Sequence, residues 1–77
     1  MTNETFKLIR LYTGLSQQGF AEKINVGKAT VSMIEGGKRP ITDNVKSKLA
    51  SHFDLTDDFF VYLEKMKSIS HINNTIK

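Results

Sequence analysis

The chain contains no cysteine and only one proline, and its longest apolar run is the five residues Phe59–Leu63. Without thiols, neither a disulfide nor a cysteine-ligated metal site can supplement the core, a composition suited to a reducing compartment. No run approaches the roughly 20 apolar residues that a membrane-spanning helix needs. The opening MTNETFKLIR lacks the basic start and apolar segment of a signal peptide, so the expectation is an intracellular, cytoplasmic protein. Histidine is scarce as well: His52 and His71 stand isolated, no nucleophile and base fall at usable spacing, and the glycines do not form a phosphate loop. The expectation is a protein that is not an enzyme and needs no cofactor or metal. Asp57 and Asp58 are accounted for as acidic residues at a helix start.

What is present fits one small domain. A chain of 77 residues buries only about 60% of its unfolded surface on folding, so its stability margin is thin. An apolar fraction of 39% suffices for one core. The formal net charge of +3 and pI near 9.3 permit an anionic partner such as nucleic acid without arguing for one.

Pro40, behind Gly36-Gly37-Lys38-Arg39, divides the chain into two halves, both helical by pattern. Helix 1 is expected over roughly 4–13, with Phe6 and Ile9 on one face and Gly14 as a stop. Helix 2 follows over 17–24 with Ser16 as N-cap, and helix 3 over 28–35, ended by Gly36 and Gly37. Thr42 caps helix 4, whose Val45, Leu49 and Phe53 form a stripe at i, i+4, i+8. Helix 5 begins after Thr56 and carries Phe59, Phe60 and Leu63. Ser68–Lys77, read as lacking a helical period, is expected to be a flexible C-terminal tail to a domain spanning residues 1–67.

The segment 17–36 is the most specific. Taking Ala21 as the fifth position of a twenty-residue motif, the fourth, eighth, tenth, fifteenth and eighteenth are Phe20, Ile24, Val26, Val31 and Ile34, all apolar. Ala21 is the small residue that a close helix crossing needs. Asn25 stands at the ninth, where the turn favours positive φ and asparagine is the next best residue after glycine. This is the steric pattern of a helix-turn-helix, whose second helix ordinarily enters the DNA major groove.

On Gly14-Leu15-Ser16-Gln17, Phe20-Ala21-Glu22-Lys23, Thr30-Val31-Ser32, Ile34-Glu35-Gly36-Gly37-Lys38-Arg39-Pro40 and Leu49-Ala50, the chain resembles the phage-repressor and Cro (XRE-type) family from about Phe6 to Phe60. The resemblance implies an all-α, five-helix, lambda-repressor-like DNA-binding domain with helices 2 and 3 as the helix-turn-helix. It also implies a sequence-specific transcriptional regulator, a repressor or Cro-like protein of a phage, prophage or mobile element, binding operator DNA as a homodimer. Carried over by position, the base-reading residues are Lys28, Ala29, Ser32 and Met33. Lys28 reaches either guanine O6 and N7 or a phosphate, and Ser32 either a base or a phosphate. Ala29 suits a thymine methyl, as does Met33, which otherwise packs on a neighbouring helix. Gln17, Gly27, Thr30, Lys38, Arg39 and Asn44 are the phosphate candidates. Arg10 and Glu35 match positions that pair structurally from helix 1 to the end of helix 3. Gly19 inside helix 2, Gly27 at the helix 3 cap, Met33 and Asp54 depart from the family pattern; these changes leave the fold expectation intact and bear on which operator is read.

A second reading comes from Phe59-Phe60-Val61-Tyr62-Leu63, since one helix face cannot bury all five. The core is expected to take Phe59 or Phe60 with Leu63. The remainder, Tyr62 included, leaves a patch for a second copy or for another protein, such as the toxin partner of an antitoxin or an antirepressor.

Overall fold

Most helices of this chain start at a side chain that replaces a missing backbone partner. In the computed structural model, which describes the backbone of residues 1–76 and the side chains of residues 1–66, the order is α1 (Asn3–Thr13), α2 (Gln17–Ile24), α3 (Lys28–Glu35), α4 (Asp43–Ala50) and α5 (Asp57–Ile76). The hydroxyls of Thr2, Ser16, Thr42 and Thr56 accept from the amides of Thr5, Gly19, Val45 and Phe59, satisfying donors that the first helical turn leaves free. α3 alone of the first four helices has no side-chain cap, because Gly27 holds that position. No strand occurs among the described residues.

α2 and α3 end in the same way. Asn25 adopts φ 60° and ψ 51°, and the amides of Asn25 and Val26 return to the carbonyls of Glu22 and Ala21. Gly37 adopts φ +74°, and the amides of Gly37 and Lys38 return to Ile34 and Met33. Each is a Schellman closure, in which one left-handed residue lets the chain reverse while the last carbonyls stay bonded.

The core is Phe6 and Ile9 of α1, Phe20, Ala21 and Ile24 of α2, Val31 and Ile34 of α3, Val45 and Leu49 of α4, and Leu63 of α5. Val26, Phe53, Phe59 and Phe60 pack against it, half-buried. Phe6 and Phe20 meet edge to face, ring centroids 5.5 Å apart, a favoured arrangement for aromatic pairs. Full burial of a side chain such as Val31 or Ile34 stabilises by about 1.5–3 kcal/mol; these two fix α3 to α1 and α2 and leave its opposite face to solvent. Both Phe59 and Phe60 join Leu63 at the core, where the sequence predicts one, and Val61 and Tyr62 stay exposed.

The sequence pattern places the end of helix 5 near residue 67, whereas α5 continues to Ile76. Ile69, Ile72 and Ile76 follow Met66 at steps of three and four, a helical spacing masked by the polar residues between them. The side chains beyond Met66, His71 among them, lie outside the described residues. No helix among the described residues is long and apolar enough to cross a membrane.

Gly19 lies inside α2 with room for a methyl group, since the nearest atoms an added Cβ would meet are Ser16 Oγ at 3.4 Å and Leu15 at 3.6 Å. Gly19→Ala is therefore expected to stabilise the fold by about 1 kcal/mol through helix propensity, raising Tm by roughly 4–8 °C in a domain of this size. A thermal melt giving an unchanged or lower midpoint would count against this account of Gly19.

Candidate nucleic-acid interface

Helix periodicity divides α3 into two faces. Val31 and Ile34 are fully buried, while Lys28, Ala29, Ser32 and Met33 are exposed, Met33 at 42%. The sequence-predicted base-reading set therefore shares one solvent-facing surface, and Met33 is not packed into the core.

Behind that surface lies a polar cluster. Arg10 grips Glu35 with two bonds, Nε to Oε2 at 2.6 Å and Nη2 to Oε1 at 2.9 Å, and its Nη1 donates to the Leu15 carbonyl at 3.0 Å. Gln17 Nε2 donates to Glu35 Oε1 at 3.2 Å. The Arg10 and Glu35 side chains are only 14% and 4% exposed, so one carboxylate at the end of α3 is held by residues from α1 and α2. The hydrogen bond to Glu35 raises the Arg10 pKa; partial burial opposes the rise and the carboxylate's charge adds to it. Stability from a raised pKa is present below the unfolded value and lost only as pH rises through the folded one, which for a guanidinium raised above its ordinary range lies far above neutrality. The guanidinium thus contributes no pH dependence near neutrality.

Four of the remaining candidates meet at the other end of α3. Gly27, Thr30, Arg39 and Asn44 line a cleft of about 510 Å³ between the turn, the start of α3 and α4. Arg39 Nη1 donates to Thr30 Oγ1 at 3.0 Å. Lys38 is exposed on the adjoining loop. Gln17 does not line the cleft; its amide is engaged by Glu35.

Three contributors escape sequence reasoning. Lys48 lines the cleft and its Nζ donates to the carbonyl of Asn25 at 2.8 Å, tying α4 to the turn; its place one turn after Asn44 is the available signal. Asn3 donates from Nδ2 to the carbonyls of Ile34 and Arg39 at 2.9 and 2.8 Å, and nothing in the sequence marks it. Tyr12 stacks edge-on against Phe59 and Tyr62 at 5.5 and 5.6 Å, extending the α5 patch onto α1. Of the histidines, His52 is exposed beyond α4.

Two crossing helices, a tight left-handed turn and an exposed face on the second helix define a helix-turn-helix DNA-binding domain. A family model described as helix-turn-helix matches residues 6–60, from the first core phenylalanine to the first turn of α5. The chain belongs to the XRE/Cro-type helix-turn-helix family, and its fold is the all-α, lambda-repressor-like one. It is a DNA-binding regulator of that kind, and the family is regulatory rather than enzymatic. No curated protein and no solved structure matches the chain.

Removing one partner of a buried, bonded pair costs about 3–5 kcal/mol, because the other charge is left uncompensated. Glu35→Ala would strand both Arg10 and Gln17. It should lower the urea midpoint far more than Lys46→Ala at an exposed site; equal midpoints for the two variants would sink a structural role for the pair.

Proposed function

We propose that this regulator reads a specific operator by laying α3 in the major groove, as a homodimeric repressor or Cro-like protein working in the cytoplasm. The observation that carries the reading is the two-faced α3: Val31 and Ile34 are buried, and Lys28, Ala29, Ser32 and Met33 form the opposite, exposed face. A lysine suits guanine acceptors, and alanine and methionine suit thymine methyls. The cleft holding Gly27, Thr30, Arg39 and Asn44, with Lys38 beside it, supports a phosphate role at the start of α3. The phage or mobile-element setting rests on the family resemblance alone.

Exposed Tyr12, Val61 and Tyr62, at 48%, 54% and 49%, support a protein contact on the α1–α5 side. A second copy is the reading that also matches paired operator half-sites, which lie about 34–36 Å apart in dimeric helix-turn-helix complexes. The same patch supports the alternative of a different protein partner, as in an antitoxin.

Lys28→Ala should relax base preference by about 1–3 kcal/mol at one position of a site selected from random duplexes. Lys38→Ala should weaken binding to all duplexes alike and reduce the salt slope by about 1. Titrations at several salt concentrations separate the two effects. Unchanged sequence preference in Lys28→Ala would remove that lysine from base reading, and an unchanged slope in Lys38→Ala would remove that one from the phosphate contacts.

Light scattering on the duplex complex should find two copies for wild type, with Tyr62→Glu dissociating the pair and weakening binding to paired half-sites. One copy per duplex in wild type would overturn the homodimer.

A further inference from the structure

The loop that carries Lys38 and Arg39 is exposed from Gly36 through Pro40 and contains two adjacent glycines. Such a segment has high conformational freedom unless something fixes it. Its first half is fixed by the Schellman closure, in which the amides of Gly37 and Lys38 return to α3. Its second half has less to hold it. The Arg39–Pro40 peptide has no N–H, so the Arg39 carbonyl is its one hydrogen-bonding group.

That carbonyl is taken by Asn3. The same side-chain nitrogen spans the turn, donating to Ile34 O at 2.9 Å and Arg39 O at 2.8 Å. Both partners are carbonyl oxygens, which only accept, so the orientation of the amide is fixed by its surroundings. Ile34 O accepts from Gly37 as well, at 3.0 Å. One amide on the first turn of α1 thus joins the end of the recognition helix to the far end of the basic loop. The Arg39 side chain makes the return link, from Nη1 to Thr30 Oγ1 on α3. The loop is closed on α3 from both sides.

We infer that Asn3 is a positioning residue for DNA binding: it sets where Lys38 and Arg39 stand relative to α3 and so lets them meet phosphates while α3 occupies the groove. The inference rests on the phosphate reading of Lys38 and Arg39 proposed above. Asn3 itself need not touch DNA. Its effect comes through order already present in the free protein, since a preordered loop loses less freedom on binding.

The test uses the full chain and a duplex selected from a random pool, titrated at several salt concentrations. Asn3→Ala keeps a good helix former in the first turn of α1, and a thermal melt sets the assay temperature well below its midpoint. The expected result is an affinity loss of about tenfold together with a salt slope smaller by about 1, the change that follows when one phosphate is no longer neutralised by the protein. In a Lys38→Ala/Arg39→Ala background the same substitution should change affinity less than twofold, because the residues it positions are gone. If the Lys38→Ala/Arg39→Ala variant keeps wild-type affinity and salt slope, the phosphate reading fails and the inference falls with it. If that variant binds weakly while Asn3→Ala binds like wild type, or if the Asn3→Ala loss persists undiminished on top of it, the positioning role is overturned and the phosphate reading stands.

Discussion

The Arg10–Glu35 pair is the interaction on which the placement of α3 depends. Two apolar side chains, Val31 and Ile34, anchor α3 in the core, and apolar packing is non-directional. It holds the helix against α1 and α2 without fully specifying its rotation. The bidentate bond from Arg10, with Gln17 on the same carboxylate, supplies direction. Planar two-point bonding between guanidinium and carboxylate fixes an angle as well as a distance. The cluster sits at the C-terminal end of α3 and the cleft at its N-terminal end, so the helix is oriented at one end and presents its polar cleft at the other.

The connections matter as much as the helices. With no disulfide, the loops are held by hydrogen bonds that reach in from neighbouring elements. Asn25 and Gly37 close α2 and α3 by the same left-handed step. Each turn is then bonded from outside, the first by Lys48 on Asn25 O and the second by Asn3 on Ile34 O and Arg39 O. No buried polar side-chain atom among the described residues lacks a partner. A thin core can hold a defined surface when the segments between its helices are tied in this way, because each tie removes freedom that core packing alone would leave.

The fold is legible in the sequence to the degree that local rules decide it. The boundaries of α2 and α3 follow from Ser16, Asn25 and the paired glycines, whose chemistry acts over three or four residues. The inward set of the motif follows from helix periodicity. What the sequence hides depends on distant partners. Asn3 lies 31 and 36 positions from the carbonyls it holds, and no propensity or spacing connects them. Tyr12 becomes part of the α5 patch only once α1 and α5 are packed. The C-terminal extent of α5 is obscured for a different reason: its isoleucines are diluted by Ser, Asn and Thr, poor helix formers, and composition outweighs their three- and four-residue spacing. For the candidate site, the outward face of α3 and most of the cleft are readable, whereas the bonding of Arg39 to Thr30 and of Gln17 to Glu35 is not.

The chemistry of the outward face bears on how such a domain would discriminate sequences. Lys28 and Ser32 are the only residues of the proposed base-reading set with hydrogen-bonding side chains; Ala29 and Met33 have only apolar surface to offer. Hydrogen-bonded readout of several bases needs several donors and acceptors, and this face is short of them. On the reading proposed above, phosphate contacts from Lys38 and Arg39 compensate in one respect. They fix the protein's register on the duplex, and fixed register turns local groove width and bendability into an energy that depends on sequence. On that reading, an α3 with few donors and a firmly tied basic loop are complementary: the fewer base edges the helix reads directly, the more selectivity rests on holding the backbone contacts at set positions.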